Sequence, residues 1–215
     1  MGEKSLSVHG NRYAIPVIYD IRDIDKVPSL PSDVVLLGRV LDILNIKRIV
    51  MHLKELGKTV ITDIDLIRGV NTDVYAVQYL AKEIGVDGLI STHSQLLQTA
   101  KKERMITILK VFAYDEHSVS SSLKVINACQ PDFLEVLPGI AAPYLMIAMK
   151  KSGMNIPVNV AGFLGQKLSD TVELLKLGVS ALHTGDQKLW KIDFEELLEK
   201  IQDKSSCNCE FDVIY

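Results

Sequence analysis

Two short apolar runs near the end of the chain each finish in small residues, as phosphate-binding loops do. Residues 157–162 (PVNVAG) end in Gly162, and residues 180–185 (SALHTG) end in Thr184 and Gly185. In a (β/α)₈ barrel, the loops after strands 7 and 8 form the usual phosphate site. Small residues let backbone N–H groups approach phosphate oxygens, and a helix N-terminus adds partial positive charge. The pair therefore suggests a bound phosphorylated small molecule, although two ordinary strand-ending turns would give the same pattern.

Charged residues occupy the ends of three other strand-like runs. Residues two apart in a strand face the same side, so Asp63 and Asp65 share one face. Either aspartate is expected to meet Lys110 and Glu135 inside the upper mouth of a barrel. Buried charges are costly unless paired, and a lysine between carboxylates forms a self-consistent network. Such a network either only fixes the core or forms a polar wall for a ligand. Its position at strand C-terminal ends favours the ligand wall.

Two histidines and one further aspartate are weaker candidates for the same mouth. His93 follows the fourth strand-like run, His183 precedes Thr184, and Asp20 ends the first run. Either histidine could hydrogen-bond a ligand or act as an acid or base, although a loop histidine is more often only solvated. No HxH or HxxxH spacing supports a metal site. No second Cys/His cluster accompanies the Cys207/Cys209 pair, so neither a metal nor a cofactor is expected.

Composition predicts an ordinary globular protein. The chain has 215 residues, 47% of them hydrophobic and 24% charged, with a formal net charge of −3. This charge gives no bulk attraction to nucleic acid or membrane, so such binding would need a local patch. No apolar run approaches the roughly 18 residues of a membrane span, and the N-terminus lacks a signal-peptide core. An odd cysteine count without an export signal suggests a reducing cytoplasm.

Strand-like and helix-like runs alternate eight times along the chain, which predicts the α/β class. Eight units favour a closed (β/α)₈ TIM-type barrel over an open doubly wound sheet. The first helix is expected to be degenerate, because Pro28 and Pro31 interrupt it. We expect one barrel domain over residues 1–203 and a C-terminal tail over residues 204–215. The predicted strands are 13–19, 34–37, 59–64, 88–91, 106–113, 132–136, 157–162 and 180–185; the predicted helices are 40–56, 72–84, 94–104, 118–128, 141–151, 169–177 and 189–201.

Two basic clusters are candidates for contact with nucleic-acid phosphates. The first follows the second strand and includes Lys47, Arg48 and Lys54, and the second includes Lys101 and Lys102. A run of this kind is usually the solvated face of an amphipathic helix. Composition and spacing alone therefore leave RNA binding as the less frequent interpretation.

Several motifs follow one another in a fixed order along the chain. They are Asp63-Ile64-Asp65-Leu66 with Gly69, Asp87 to Thr92, Pro131-Asp132 with Glu135 to Gly139, Pro157 to Gly162, Thr184 and Leu189-Trp190. Through these landmarks the chain resembles, over nearly its whole length, the glycerol-3-phosphate-responsive antiterminators of the glycerol uptake operon. The resemblance implies a (β/α)₈ barrel that binds glycerol 3-phosphate and leader mRNA, so that RNA polymerase reads through a terminator, and it implies no catalysis. We expect no membrane association and no cofactor, and a homo-oligomer is left open.

The chain departs from the family pattern at the expected ligand site. Lys110 and His93 stand where the family usually has arginines, and Asp63 stands where it usually has histidine. Phe163 replaces a glycine, and His183 and Gly185 replace serines on either side of Thr184. Arginine and lysine are not equivalent for bidentate phosphate binding, so we expect a divergent paralogue with a changed ligand or a weakened response.

Two function classes follow from the sequence. The first is a ligand-sensing, RNA-binding regulator, with Lys47, Arg48 and Lys54 as RNA contacts. The second is a barrel enzyme of the aldolase, isomerase or prenyltransferase type that acts on a phosphorylated small molecule, with Lys110 as the only plausible strand-end Schiff-base lysine. The expected ligand-binding residues are Gly162, Phe163, Thr184, Gly185, Lys110, His93, Asp65 and Glu135.

Overall fold

The protein is a closed barrel of eight parallel strands in sequence order, with β1 hydrogen-bonded to both β2 and β8. This computed structural model describes residues 14–165 and 168–198. It confirms the predicted (β/α)₈ architecture. The strands are β1 Ile15–Ile18, β2 Val34–Leu37, β3 Thr59–Asp63, β4 Gly88–Ser91, β5 Ile106–Phe112, β6 Phe133–Leu137, β7 Val158–Ala161 and β8 Ala181–Thr184.

Helices connect most consecutive strands, while a 3₁₀ helix, Ile21–Ser29, joins β1 to β2. That segment contains Pro28, which agrees with the expected degenerate first helix. Shorter 3₁₀ turns span Ile64–Leu66 and Gly139–Ala141. The helices are α1 Ile46–Glu55, α2 Val74–Tyr79 with a π-helical continuation Leu80–Ile84, α3 Ser94–Lys102, α4 Glu116–Cys129, α5 Ala142–Lys151 and α6 Leu168–Lys176.

The predicted start of the second helix, at residue 40, was wrong, because α1 begins at Ile46. Local hydrogen bonds hold the preceding residues in a turn. The Asp42 carboxylate accepts from the backbone N–H groups of Leu44 and Asn45, at 3.0 and 2.9 Å. The Asn45 side chain accepts from the backbone N–H of Asp42 at 2.9 Å. Leu44 falls within the predicted helix over residues 40–56, where its spacing from other apolar residues predicts burial, yet it is 92% exposed.

The predicted helix over residues 189–201 was also wrong at its start. Residues 187–191 form turns, and the helix begins at residue 194. The indole of Trp190 is 2% exposed and donates from Nε1 to the Thr184 carbonyl at 2.8 Å, which holds this turn against the end of β8. The end of that helix, the tail over 204–215 with Cys207 and Cys209, and residue 13 lie outside the described residues.

The hydrophobic core has two parts. One lies between the sheet and the surrounding helices, and the other fills the barrel interior with side chains such as Ile15, Leu36 and Ile108. The interior also holds buried polar side chains from β3, β6, β7 and β8, namely Asp63, Glu135, Asn159 and His183. Part of the barrel interior is therefore lined by polar and charged side chains instead of apolar ones. Among the described residues, no helix combines the length and apolar character needed to cross a bilayer.

The corrected start of α1 predicts opposite outcomes for two leucine substitutions. Leu53 is fully buried in the core, so Leu53→Ala is expected to lower the free energy of unfolding by about 2–5 kcal/mol. Leu44→Ala removes the same atoms from an exposed turn and should change it by less than about 0.5 kcal/mol. Urea denaturation measures both values. If Leu44→Ala lowered the free energy of unfolding as much as Leu53→Ala does, the result would support the longer helix that begins at residue 40.

Candidate functional site

An ion pair crosses the barrel interior between β3 and β5. The Lys110 ammonium donates to Asp63 Oδ2, and the two side chains are only 10% and 9% exposed. Burial raises the pKa of the Asp63 carboxyl, and the positive charge of Lys110 opposes that rise. The structure thus brings together two of the residues expected at the mouth. Each charge is compensated by the other, as burial requires.

Glu135 pairs with His183 rather than with Lys110. Lys110 and Glu135 are register partners on β5 and β6, yet Glu135 Oε1 lies 2.7 Å from His183 Nδ1. The expected lysine between two carboxylates is therefore replaced by two separate acid–base pairs. His183 is 1% exposed, and its Nε2 has no hydrogen-bond partner within the described chain. The His183 side chain is therefore buried against Glu135 rather than facing solvent at the mouth.

Asp65 is directed away from Lys110 and towards the loop after β4. It accepts from the Ser91 hydroxyl at 2.9 Å and from the Thr92 N–H at 2.9 Å, and His93 Nδ1 lies 3.4 Å from Oδ1. Burial alone would raise the pKa of the Asp65 carboxyl, but the hydrogen bonds from Thr92 and Ser91 bring it below its ordinary value. Asp65 therefore anchors this loop as a carboxylate and places the His93 side chain, which is 62% exposed, at the rim.

The loops after β7 and β8 present backbone donors. Gly162 and Phe163 have φ angles of 77° and 58°, so two consecutive residues adopt the left-handed region. Among the described residues, none accepts a hydrogen bond from the N–H of Gly162, Phe163 or Gly185. Phe163 is 72% exposed, so its ring projects outwards and leaves the loop backbone accessible. The Thr184 hydroxyl accepts from the Asp186 N–H at 3.0 Å and so shapes the loop from within.

Sequence reasoning missed Tyr19 and Arg39, which lie at the same rim. Opposite edges of the Tyr19 ring contact the backbone at Gly38 and Gly185: a Cβ at either glycine would lie 2.6 or 2.8 Å from a ring carbon. The Arg39 guanidinium lies over this ring, 5.6 Å from its centroid. Burial and the negative charge of Glu135 raise the pKa of the Tyr19 hydroxyl. One signal was available, because glycines directly follow strands 2 and 8, and these strands flank strand 1 in a closed barrel.

The first basic cluster is only partly available for nucleic acid. Lys47 and Arg48 are exposed on α1. Lys54 was expected to be a free surface cation, but its ammonium lies 2.5 Å from both carboxylate oxygens of Asp87. Lys58 donates to backbone carbonyls at 3.1 and 2.8 Å. Lys54, in the last turn of α1, and Lys58, just after the helix, therefore hold neighbouring groups of the barrel wall, whereas Lys47 and Arg48 have no ion-pair partner among the described residues.

The remaining candidates do not join the mouth cluster. Asp20 accepts from the Arg22 side chain and backbone, and these hydrogen bonds lower the pKa of its carboxyl to about 2. On α3, the Lys101 ammonium donates to the Gln130 carbonyl at 2.8 Å. Among residues 14–165 and 168–198, no group of three His, Cys, Asp or Glu side chains is arranged to hold a metal ion.

A family model described as "Glycerol-3-phosphate responsive antiterminator" matches residues 14–190. The glycerol uptake operon antiterminator regulatory protein of Listeria monocytogenes has 28% identity and a TM-score of 0.78, with 84% of this chain and 96% of that one covered. An antiterminator-related protein from Thermotoga maritima has 32% identity and a TM-score of 0.72, covering 83% and 97%. The YgcP protein of Escherichia coli K12 is 29% identical over 70% of this chain and 78% of that protein.

Barrel enzymes also share the architecture. The aldolase QR15 and a type I 3-dehydroquinate dehydratase from Clostridium difficile both have TM-scores of 0.62, at 14% and 12% identity. The match with the aldolase covers 89% of this chain and 97% of the aldolase chain, and the match with the dehydratase covers 91% of this chain and 94% of the dehydratase chain. Identities this low show a common fold and nothing of the chemistry.

The contacts of Asp65 predict a pH-dependent loss of stability when the carboxylate is removed. Asp65→Asn is expected to lower the free energy of unfolding by about 1–3 kcal/mol at pH 7, because hydrogen bonds to a charged acceptor are weakened. The folded-state pKa lies below the unfolded one, so the stabilisation is complete above the unfolded value of about 3.9 and is lost as pH falls through the folded value.

Urea denaturation at pH 7 and at about pH 3 measures this difference. The gap between wild type and Asp65→Asn should narrow at the lower pH. The exposed Asp25→Asn is the matched control, with no large change at either pH. A gap that is the same at both pH values would show that Asp65 does not act as a carboxylate.

Proposed function

The chain belongs to the family of glycerol-3-phosphate responsive antiterminators, and we propose that it regulates glycerol uptake or metabolism genes by binding leader mRNA in response to a phosphorylated polyol. Glycerol 3-phosphate is the ligand that the family description suggests. In this proposal the barrel mouth binds the ligand, and ligand binding rather than a catalysed reaction triggers the regulatory response.

The proposed ligand site rests on the backbone N–H donors in the loops after β7 and β8. The N–H groups of Gly162, Phe163 and Gly185 are unused within the described chain. Thr184 is 6% exposed and fixes the second loop from within. Unpaired N–H groups at strand C-terminal ends of a barrel suit a phosphate. Lys110, Glu135, Asp65 and His93 then line the mouth around the rest of the ligand.

The enzyme alternative is weaker because of the state of Lys110. A Schiff-base lysine must lose its proton to attack a carbonyl group. Asp63 accepts a hydrogen bond from the Lys110 ammonium inside the barrel, so the lysine nitrogen is occupied in an ion pair. The geometry therefore supports a structural role for this lysine rather than a role as a free nucleophile. This argument, together with the family, favours the regulator.

The RNA-contacting surface is proposed at the N-terminal half of α1. Lys47 and Arg48 are exposed there, whereas Lys54 is held by Asp87 and drops out of the proposed contact set. On a protein of net charge −3, phosphate contacts must come from such local cations. Affinity for RNA should therefore be modest and strongly dependent on salt.

Glycerol 3-phosphate is expected to raise the melting temperature by mass action, with about 2.7 kcal/mol of stabilisation at a ligand concentration 100 times Kd. Thr184→Arg should abolish the shift, because the longer side chain fills the space beside the loop donors. Differential scanning fluorimetry measures both effects. Ser121→Arg adds the same side chain on the exposed face of α4 and should leave the shift unchanged. The ligand proposal fails if glycerol 3-phosphate and related phospho-polyols leave the wild-type melting temperature unchanged.

Charge reversal on α1 is expected to weaken RNA binding. In filter binding at about 50 mM salt, Lys47→Glu/Arg48→Glu should bind the leader RNA of the adjacent operon more weakly than wild type. The slope of log K against log salt should flatten by about 0.7 for each single-stranded phosphate contact removed. Lys150→Glu/Lys151→Glu makes the same charge change on exposed positions of α5 and should bind as wild type does. Wild-type protein that retains no RNA, with or without ligand, would contradict the regulator.

A further inference from the structure

The Tyr19 side chain spans the rim of the barrel between the ends of β2 and β8. One edge of its ring, Cδ1 and Cε1, contacts Gly38, and the other edge, Cδ2 and Cε2, contacts Gly185. Any side chain at either glycine would push the ring away, because its Cβ would lie under 3.0 Å from ring carbons. The ring is therefore seated directly beside the backbone of the loop proposed to bind phosphate.

Arg39 places a cation on this ring. Its guanidinium carbon lies 5.6 Å from the ring centroid, within the range of a cation–π contact. Arg39 is exposed, and no carboxylate of the described chain forms an ion pair with it. An arginine held by an aromatic face keeps its five N–H donors free for an anion.

The other basic side chains discussed for the mouth already lie beside carboxylates of the protein. The Lys110 ammonium is neutralised by Asp63, and both are buried. His183 is buried against Glu135, and His93 lies 3.4 Å from Asp65. Of the basic side chains Lys110, His93, His183 and Arg39, only Arg39 has no carboxylate partner among the described residues.

We propose that Arg39 binds the phosphate of the mouth ligand and sets its preference for anionic over neutral polyols, with Tyr19 as the positioning residue that holds the guanidinium beside Gly185. This inference rests on the proposed ligand site and adds to it the group that recognises the charge. A guanidinium binds a phosphate through two parallel hydrogen bonds, which an ammonium cannot reproduce. Arg39 would thus supply from the loop after β2 the charge that Lys110 cannot supply from β5.

Isothermal titration of the full-length protein with glycerol 3-phosphate tests the role of Arg39. Arg39→Gln is expected to weaken binding roughly 10- to 100-fold, since a charge-assisted contact is lost. The affinity of Arg39→Lys for glycerol 3-phosphate should lie between those of Arg39→Gln and wild type. Arg68→Gln is the matched control, because this exposed arginine of the next loop pairs with Asp42 instead, and it should bind as wild type does.

Tyr19 variants separate positioning from folding. Tyr19→Phe keeps the ring and should retain most of the affinity, whereas Tyr19→Ala should approach the affinity of Arg39→Gln. If Tyr19 acts through Arg39, Tyr19→Ala should cost little further affinity in the Arg39→Gln background. Circular dichroism and melting temperature establish that each variant is folded. An equal loss in both backgrounds would exclude Tyr19 as the positioning residue.

The outcomes distinguish this inference from the function on which it rests. Wild type that binds glycerol 3-phosphate with Arg39→Gln unchanged would overturn the role of Arg39 and leave the ligand site standing. Wild type that binds neither glycerol 3-phosphate nor inorganic phosphate would overturn both. Glycerol provides the specificity readout: Arg39→Gln should lower the affinity ratio of glycerol 3-phosphate to glycerol, and an unchanged ratio would overturn the specificity role.

Discussion

The structure depends on one constraint, which is that charges inside a closed barrel must be paired within it. A closed barrel has no sheet edge that exposes the interior side chains of β3, β5, β6 and β8, so each interior charge needs a partner from another strand across the barrel. Lys110 finds Asp63, and Glu135 finds His183. Together these pairs make the upper interior polar without making it positive. An anionic ligand must therefore be recognised above this layer, by the loops.

Small residues and one large ring determine the shape of these loops. Glycines after β2 and β8 leave the space that the Tyr19 ring fills, and the ring contacts both strand ends that flank β1. The left-handed pair Gly162 and Phe163 shapes the loop after β7, and the N–H groups of these two residues have no acceptor among the described residues. The packing of the Tyr19 ring and the exposure of the backbone N–H donors thus have the same cause. At the rim, another group can approach the backbone closely only where a side chain is absent or projects outwards.

The sequence predicted the features that repeat locally and missed those that depend on contacts across the barrel. Strand alternation was enough for the architecture. Residue parity along β3 and β5 predicted a contact of Lys110 with either Asp63 or Asp65, and the structure shows the contact with Asp63. Leu44 was misassigned because a helical spacing does not reveal that Asp42 and Asn45 close a turn first. Lys54 was misassigned because its partner, Asp87, is brought to it only by the pairing of β3 with β4. Tyr19 and Arg39 carry no motif, and their place at the rim follows from β1 lying between β2 and β8.

Two of the departures that the resemblance predicts contact each other in the structure. Asp63 and Lys110, expected in place of a family histidine and a family arginine, form an ion pair between β3 and β5. A lysine in place of an arginine alone would leave a positive charge for the proposed ligand, whereas here the aspartate pairs with it. On β8, His183 is buried against Glu135. A phosphate-binding barrel with a neutral interior needs a cation from elsewhere, and the arginine stacked on Tyr19 has the position, the exposure and the free donors to provide it.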